Sequence, residues 1–194
     1  GGGGLPASTR CCPRVAPAGT TLSPRDHWRT PPAERQFIHS KDGATAESGV
    51  DYLAAQGARA VKVWYIVRPP DLPVSASVEA VNAAGAAAKK PNLPLIVDAT
   101  GLAEAKAALQ AGAKVLVHSV WDLPVDDEFI ALAKRNGTIL IPTLTVARGY
   151  VRMFQSVLDR KPPVGEDPNQ CVDRYTMAKI QATAHLDIAV VRAD

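Results

Sequence analysis

Three short apolar runs in this chain each carry one residue that a buried strand resists. They are Lys62 within residues 60–67, Asp98 closing 95–98 and His118 closing 115–118. A buried charge is costly unless it is paired or bound to a metal. A helical stretch follows each run, so the three groups fall at or near the ends of successive strands in a βαβ series. Ligands and chemistry collect at the carboxyl ends of strands in such sheets. The placement predicts an enzyme-type site.

The pattern around these runs alternates. Residues 46–56 read as a helix with Val50, Leu53 and Ala54 on one face and Gly57 behind it. Residues 60–67 read as a strand and 75–90 as an Ala-rich helix, with Lys89 and Lys90 in its last turn and Pro91 as the stop. Further strands are expected at 93–98, 115–118 and 138–144, with helices at 102–111 and from Asp126-Asp-Glu128 to Asn136-Gly137. Helical segments are expected again at 147–158 and from about Asp173. Strand–helix repeats with short loops imply parallel pairing, and the apolar strands suggest burial on both faces. Two architectures fit, an open doubly wound sheet or part of a (β/α)₈ barrel. No glycine-rich phosphate loop follows a strand, which removes the usual reason for the open sheet. A whole barrel takes about 250 residues. The chain has 194, so the expectation is a partial TIM-type barrel of about four to five βα units over residues 36–194. Residues 1–35, punctuated by Pro6, Pro13, Pro17, Pro24, Pro31 and Pro32, read as an irregular N-terminal arm.

Composition excludes several classes. A net charge of +3 without a dense Lys/Arg run argues against nucleic acid, and no apolar stretch approaches a membrane span. The opening Gly1-Gly-Gly-Gly-Leu-Pro6 has no signal-peptide layout, so the chain is expected to begin inside a longer reading frame. Cys11, Cys12 and Cys171 form no disulfide framework and no zinc-site spacing, which suits a reducing, cytoplasmic setting.

The three polar residues admit several chemistries. Lys62 can be ion-paired, with Asp98 as the candidate partner. It can be a Schiff-base nucleophile, or it can be carbamylated into an anionic metal ligand. His118 can be a satisfied core residue or can present a ring nitrogen to a metal. Asp98 can be a carboxylate ligand, and Asp98 or Thr100 can cap the next helix. Trp64, Tyr65, Arg68 and Trp121, in or beside the loops that follow the strands, are candidates to line a pocket or to pack. His27, His39 and His185 lack convergent partners in the sequence.

The stretch Gly57-Ala-Arg-Ala-Val-Lys-Val-Trp64, then Pro94-Leu-Ile-Val-Asp-Ala-Thr-Gly101, residues 105–118 ending Val-Leu-Val-His118, residues 126–137, and Pro142-Thr-Leu144 resembles the amidohydrolase superfamily. The nearest branch in appearance is the imidazolonepropionase-like and prolidase-like metal-dependent hydrolases. The resemblance covers roughly residues 36–160 and implies a TIM-type barrel with a metal site at the strand ends. It places Lys62 at the carbamylated lysine and His118 at a metal-binding histidine, and it puts Thr143 near the pocket. It also implies Zn²⁺ or another divalent metal, one or two ions in the intact site. The chain departs from the pattern at Asp98, where a histidine is ordinary, and it lacks the His-x-His pair and the Gly-Thr-Asp segment.

The reaction implied is metal-dependent hydrolysis of a C–N bond in a cyclic amide or dipeptide, by a middle piece of such a barrel with weak or no activity alone. Lys62 and His118 are the expected catalytic residues, with Lys62, His118 and Asp98 as metal ligands. Tyr65, Trp121 and Thr143 are the expected substrate contacts. The alternatives are a Schiff-base lyase using Lys62, or a non-catalytic barrel segment whose open edges would favour homo-oligomers.

Overall fold

The computed structural model describes residues 16–25, 37–66, 74–163 and 171–186. His27, Arg68, Cys11 and Cys12 lie outside them. Backbone contacts divide the chain into a first unit, Gly1–Pro142, and a second, Thr143–Asp194. The first unit runs β1 Thr21–Ser23, β2 Phe37–His39, α1 Gly43–Ala55, β3 Val61–Trp64, α2 Val74–Lys89, β4 Leu95–Asp98, α3 Leu102–Gln110, β5 Val115–Val117, α4 Asp127–Asn136 and β6 Ile139–Ile141. The second contains α5 Thr145–Asp159, α6 Arg174–Ala182 and a 3₁₀ turn, Thr183–His185.

All the strand pairs are parallel, in the order β2-β1-β3-β4-β5-β6. From β3 onward the spatial order follows the chain. The helices follow it too, α1 packing on α2, α2 on α3 and α3 on α4. Strand residues of one parity, Leu22, Val61, Val63, Leu95, Val97 and Leu116, join Val50, Leu53, Val81, Ala84, Ala108 and Leu109 from the helices in one core. On the other face Lys62, Trp64, Ile96, Val115 and Val117 are only partly covered. A doubly wound sheet carries helices on both faces. Sequential strands with helices on one face instead make an arc of a (β/α)₈ barrel. The arc contains the units β2α1, β3α2, β4α3 and β5α4.

Two expectations change. Burial on both faces does not hold, because the inner face of the arc is half open and every residue of β6 is exposed. Thr21–Ser23, read as irregular arm, is a strand set between β2 and β3, and Leu22 is fully buried. Three residues are too short for a period of two to register in a Pro-rich stretch.

Local signals explain the element ends. Asp42 accepts from Thr45 N at 2.9 Å while the Thr45 hydroxyl accepts from Asp42 N, and this reciprocal cap starts α1 three residues before the expected Ala46. Asp126 caps α4 by accepting from Phe129 N at 2.9 Å, and Lys106 ties Asp126 to Glu128. Gly137, at φ +61°, takes the left-handed turn that ends α4.

In the second unit, α5 buries Ser156 and Val157 and contacts the 3₁₀ turn, where Ala184 is fully buried. Asp173 caps α6 through the backbone N–H groups of Tyr175 and Thr176. No described helix is long and apolar enough to cross a membrane.

Candidate functional site

The register of the parallel ladders assembles the site. Lys62 stands opposite Ile96, while Trp64, Asp98 and Val117 form the next row across β3, β4 and β5. Side chains alternate along a strand, so Lys62 and Asp98 point to the same half-open face. Lys62 Nζ reaches Asp98 Oδ2 at 3.1 Å. The aspartate side chain is 1% exposed and the lysine 34%, so the pair joins a buried anion to a cation with access to solvent.

His118 arrives by a different route. Simple alternation would send the residue after Val117 to the helix-covered face with Leu116. His118 instead has φ +78°, in the left-handed region, and its Nε2 lies 4.0 Å from Asp98 Oδ1. Its backbone N–H donates to Ile141 O at 2.9 Å, which holds this turn on the end of β6. The separation from Asp98 is too long for a hydrogen bond. Asp98 Oδ1 is buried and has no hydrogen-bond partner among the described residues.

The structure thus brings together Lys62, Asp98 and His118. Tyr65 is different, and its reading as a substrate contact is corrected. It is fully buried, its N–H donates to Asp98 O at 2.9 Å, and its hydroxyl donates to Val74 O at 3.2 Å. Alternation from Trp64 turns it into the core, where burial pushes its phenol up. Trp121 is exposed on the β5–α4 loop, where it is available to a ligand. Trp64 packs edge-on against Phe37, with ring centroids 5.5 Å apart. Thr143 belongs to the second unit, with φ +48° and its carbonyl accepting from Val146 N at 3.0 Å.

Neither Asp98 nor Thr100 caps α3. The N-cap is Gly101, which has no side chain to offer, and Asp122 from the β5–α4 loop accepts from Leu102 N at 2.9 Å instead. Trp121 N also donates to Thr100 O at 2.8 Å, so the loop after His118 is fastened over the end of β4. A Cβ on Gly101 would lie 2.1 Å from Glu104 Oε2 and 3.0 Å from Asp122 Oδ2, so a larger residue there would require the Glu104 carboxylate to swing away. Burial pushes the Glu104 carboxyl up, and the charge of Asp122 adds to the effect. Sequence reasoning missed Asp122. Its signal was an α3 start with glycine at the cap, which needs an acceptor from elsewhere.

Among the described residues no group of three His, Cys, Asp or Glu side chains stands close enough to hold a metal ion. Two donors do converge. Asp98 Oδ1 and His118 Nε2 are 4.0 Å apart, wider than the roughly 3.3 Å that two bonds of about 2 Å subtend in tetrahedral coordination. The partnerless buried oxygen is the observation that favours a cation there.

The fold and this cluster define the class: an arc of a (β/α)₈ barrel with Asp98 and His118 at strand ends and Lys62 reaching Asp98 from within β3. No family model matches the chain, and no curated protein matches it. Solved structures do. The chain is similar to A. niger ochratoxinase at 21% identity and TM-score 0.54, covering 89% of this chain and 42% of that one. It is similar to a prolidase complexed with N-methylphosphonate-L-proline at 17% identity and TM-score 0.51, covering 89% and 43%. A Xaa-Pro dipeptidase with methionine bound in its active site matches at 21% identity and TM-score 0.50, covering 66% and 32%. The chain therefore shares the barrel fold of these hydrolases and spans 32–43% of their length.

Proposed function

We propose that the chain is part of a metal-dependent hydrolase of the amidohydrolase type, acting on a C–N bond in a small amide or dipeptide. The observation that carries this reading is the convergence of Lys62, Asp98 and His118 on one half-open face, with Asp98 Oδ1 buried and partnerless among the described residues. The shared fold and the resemblance of residues 36–160 agree with it.

Asp98 and His118 are the residues that would hold a divalent ion such as Zn²⁺. Bound there, the ion would polarise a carbonyl and acidify a water. Lys62 fixes the aspartate by holding Oδ2, which leaves Oδ1 toward the imidazole. The left-handed backbone at His118 aims that imidazole. Asp122 and the Trp121 backbone fasten the loop beside the end of β4, and the exposed Trp121 indole would be the side chain of that loop to contact a small substrate.

Calorimetric titration of the purified chain with Zn²⁺ or Mn²⁺, alongside Asp98→Asn and His118→Ala, tests the reading. The expectation is saturable binding that weakens at least about tenfold in either variant, in line with the loss of one metal ligand. Equal affinity in all three proteins would remove the basis for a metal hydrolase. Hydrolysis of Xaa-Pro dipeptides is the companion assay, with weak turnover expected because the described residues supply two protein donors.

A second reading, self-association of a barrel segment, is favoured by the exposure of Ile139, Leu140 and Ile141 on edge strand β6. Size-exclusion chromatography over a range of concentrations tests it, and a strictly monomeric chain counts against it.

A further inference from the structure

Two carboxyl groups meet at the start of α3, and one of them holds the β5–α4 loop. Asp122, an exposed residue of that loop, accepts from Leu102 N at 2.9 Å through Oδ1. Glu104, at the third helical position, is 7% exposed. A Cβ on Gly101 would lie within 3.0 Å of both Glu104 Oε2 and Asp122 Oδ2, so the two side chains crowd one point. The other tie at the middle of the loop is Trp121 N to Thr100 O, at 2.8 Å. Its two ends are held separately. His118 N donates to Ile141 O and Ser119 Oγ to Pro142 O, while Lys106 binds Asp126 and Glu128 at the start of α4.

A helix N-terminus stabilises a nearby anion, and a glutamate at the third position can itself reach back to it. While Glu104 is protonated, Asp122 meets no rival charge there. Once Glu104 ionises, two like charges face the same helix end, and moving one into water relieves the repulsion. Asp122 is exposed and sits on a loop, whereas Glu104 is rooted in a helix whose Leu102, Ala105, Ala107, Ala108 and Leu109 are buried. Asp122 is therefore the one to leave. The surrounding groups do not neutralise Glu104. The Tyr65 phenol feels its charge but donates to Val74 O, and Lys106 is occupied by its two carboxylates. On α2, Glu79 lies toward Gly43 and Lys89 toward Gly112, and the Lys134 and Arg135 of α4 fall in its last turn.

We propose that Glu104 and Asp122 compete for the N-terminus of α3 and make the β5–α4 loop a pH-sensitive lid. Protonated Glu104 leaves Asp122 holding the loop down, and ionised Glu104 releases it. Release of the loop does not rest on the hydrolase reading, whereas its consequence, withdrawal of Trp121 from a substrate, does.

The test is amide hydrogen exchange of the full chain against pH, read at Leu102 and Trp121 and corrected for the intrinsic rate. Protection at both amides is expected to fall together by about tenfold or more, with a midpoint above the ordinary glutamate value of 4.5. Glu104→Gln, which stays neutral, is expected to keep both amides protected throughout. Asp122→Asn keeps an acceptor without the charge and is expected to abolish the fall, and it decides the matter should Glu104→Gln fail to fold. Constant protection in the wild type would overturn the proposal, and so would a fall that survives in either folded variant. A fall that vanishes in His118→Ala would overturn it too, by assigning the titration to the imidazole at the start of the loop. A loop that releases as expected in a chain without hydrolytic activity would leave the lid standing and count only against the hydrolase reading.

Discussion

His118 shows how much one backbone angle decides. An L-residue in the left-handed region costs about 1 kcal/mol unless it is glycine, and His118 sits there at φ +78°. The strain turns its ring back toward Asp98. Removing the imidazole as His118→Gly should therefore cost less stability than His118→Ala, by about 1 kcal/mol in urea unfolding. Equal stability of the two variants would mean that residue 118 is not strained. Lys62 and Asp98 were legible in the sequence as charges inside apolar runs, and their pairing follows from parallel register. The fate of Tyr65 was less legible. It lies one residue beyond the end of β3, and only the continued alternation of the chain sends its ring inward.

At the scale of elements, caps and periodicity made most of the fold readable. The acidic start and glycine end of α4 lie close to where the sequence placed them, and every expected helix formed within a few residues of its predicted limits. Strand β1 was not readable, because its three residues gain their order from pairing with β2 and β3. Helix packing adds a constraint of its own at Gly85. Alanine normally favours a helix over glycine by about 0.5–1 kcal/mol. A Cβ at position 85, however, would lie 2.3 Å from Ala111 O, just beyond the end of α3. Gly85→Ala should thus destabilise the protein by about 1–3 kcal/mol through overpacking. A rise in melting temperature would show that α2 and α3 do not approach this closely.

Stability against pH is a property of the whole molecule, and Glu104 contributes a definite sign to it. Its carboxyl is raised above the ordinary glutamate value, first by burial and then by the charge of Asp122. The folded state therefore holds that proton more tightly than the unfolded chain. The contribution is complete below the ordinary glutamate value and is lost as pH rises through the raised one. Glu104→Gln should melt higher than wild type at neutral pH, with the gain fading in acid. A gain of the same size at every pH would assign the effect to packing rather than to charge. Asp42 and Asp126 are lowered by their caps, Asp126 most by Lys106, and act in the opposite sense.

The order of the elements from α1 onward, and the presence of a charge or imidazole on or just past three successive strands, were determined by the sequence alone. Periodicity, caps and punctuation act over a few neighbouring residues and can be read from them. Tertiary structure decided that the helices lie on one face, that β1 enters the sheet, and that Asp122 rather than a local side chain caps α3. It also decided that Lys62, Asp98 and His118 meet. Each of these depends on register and backbone direction set by residues distant in the chain, and no local pattern encodes them.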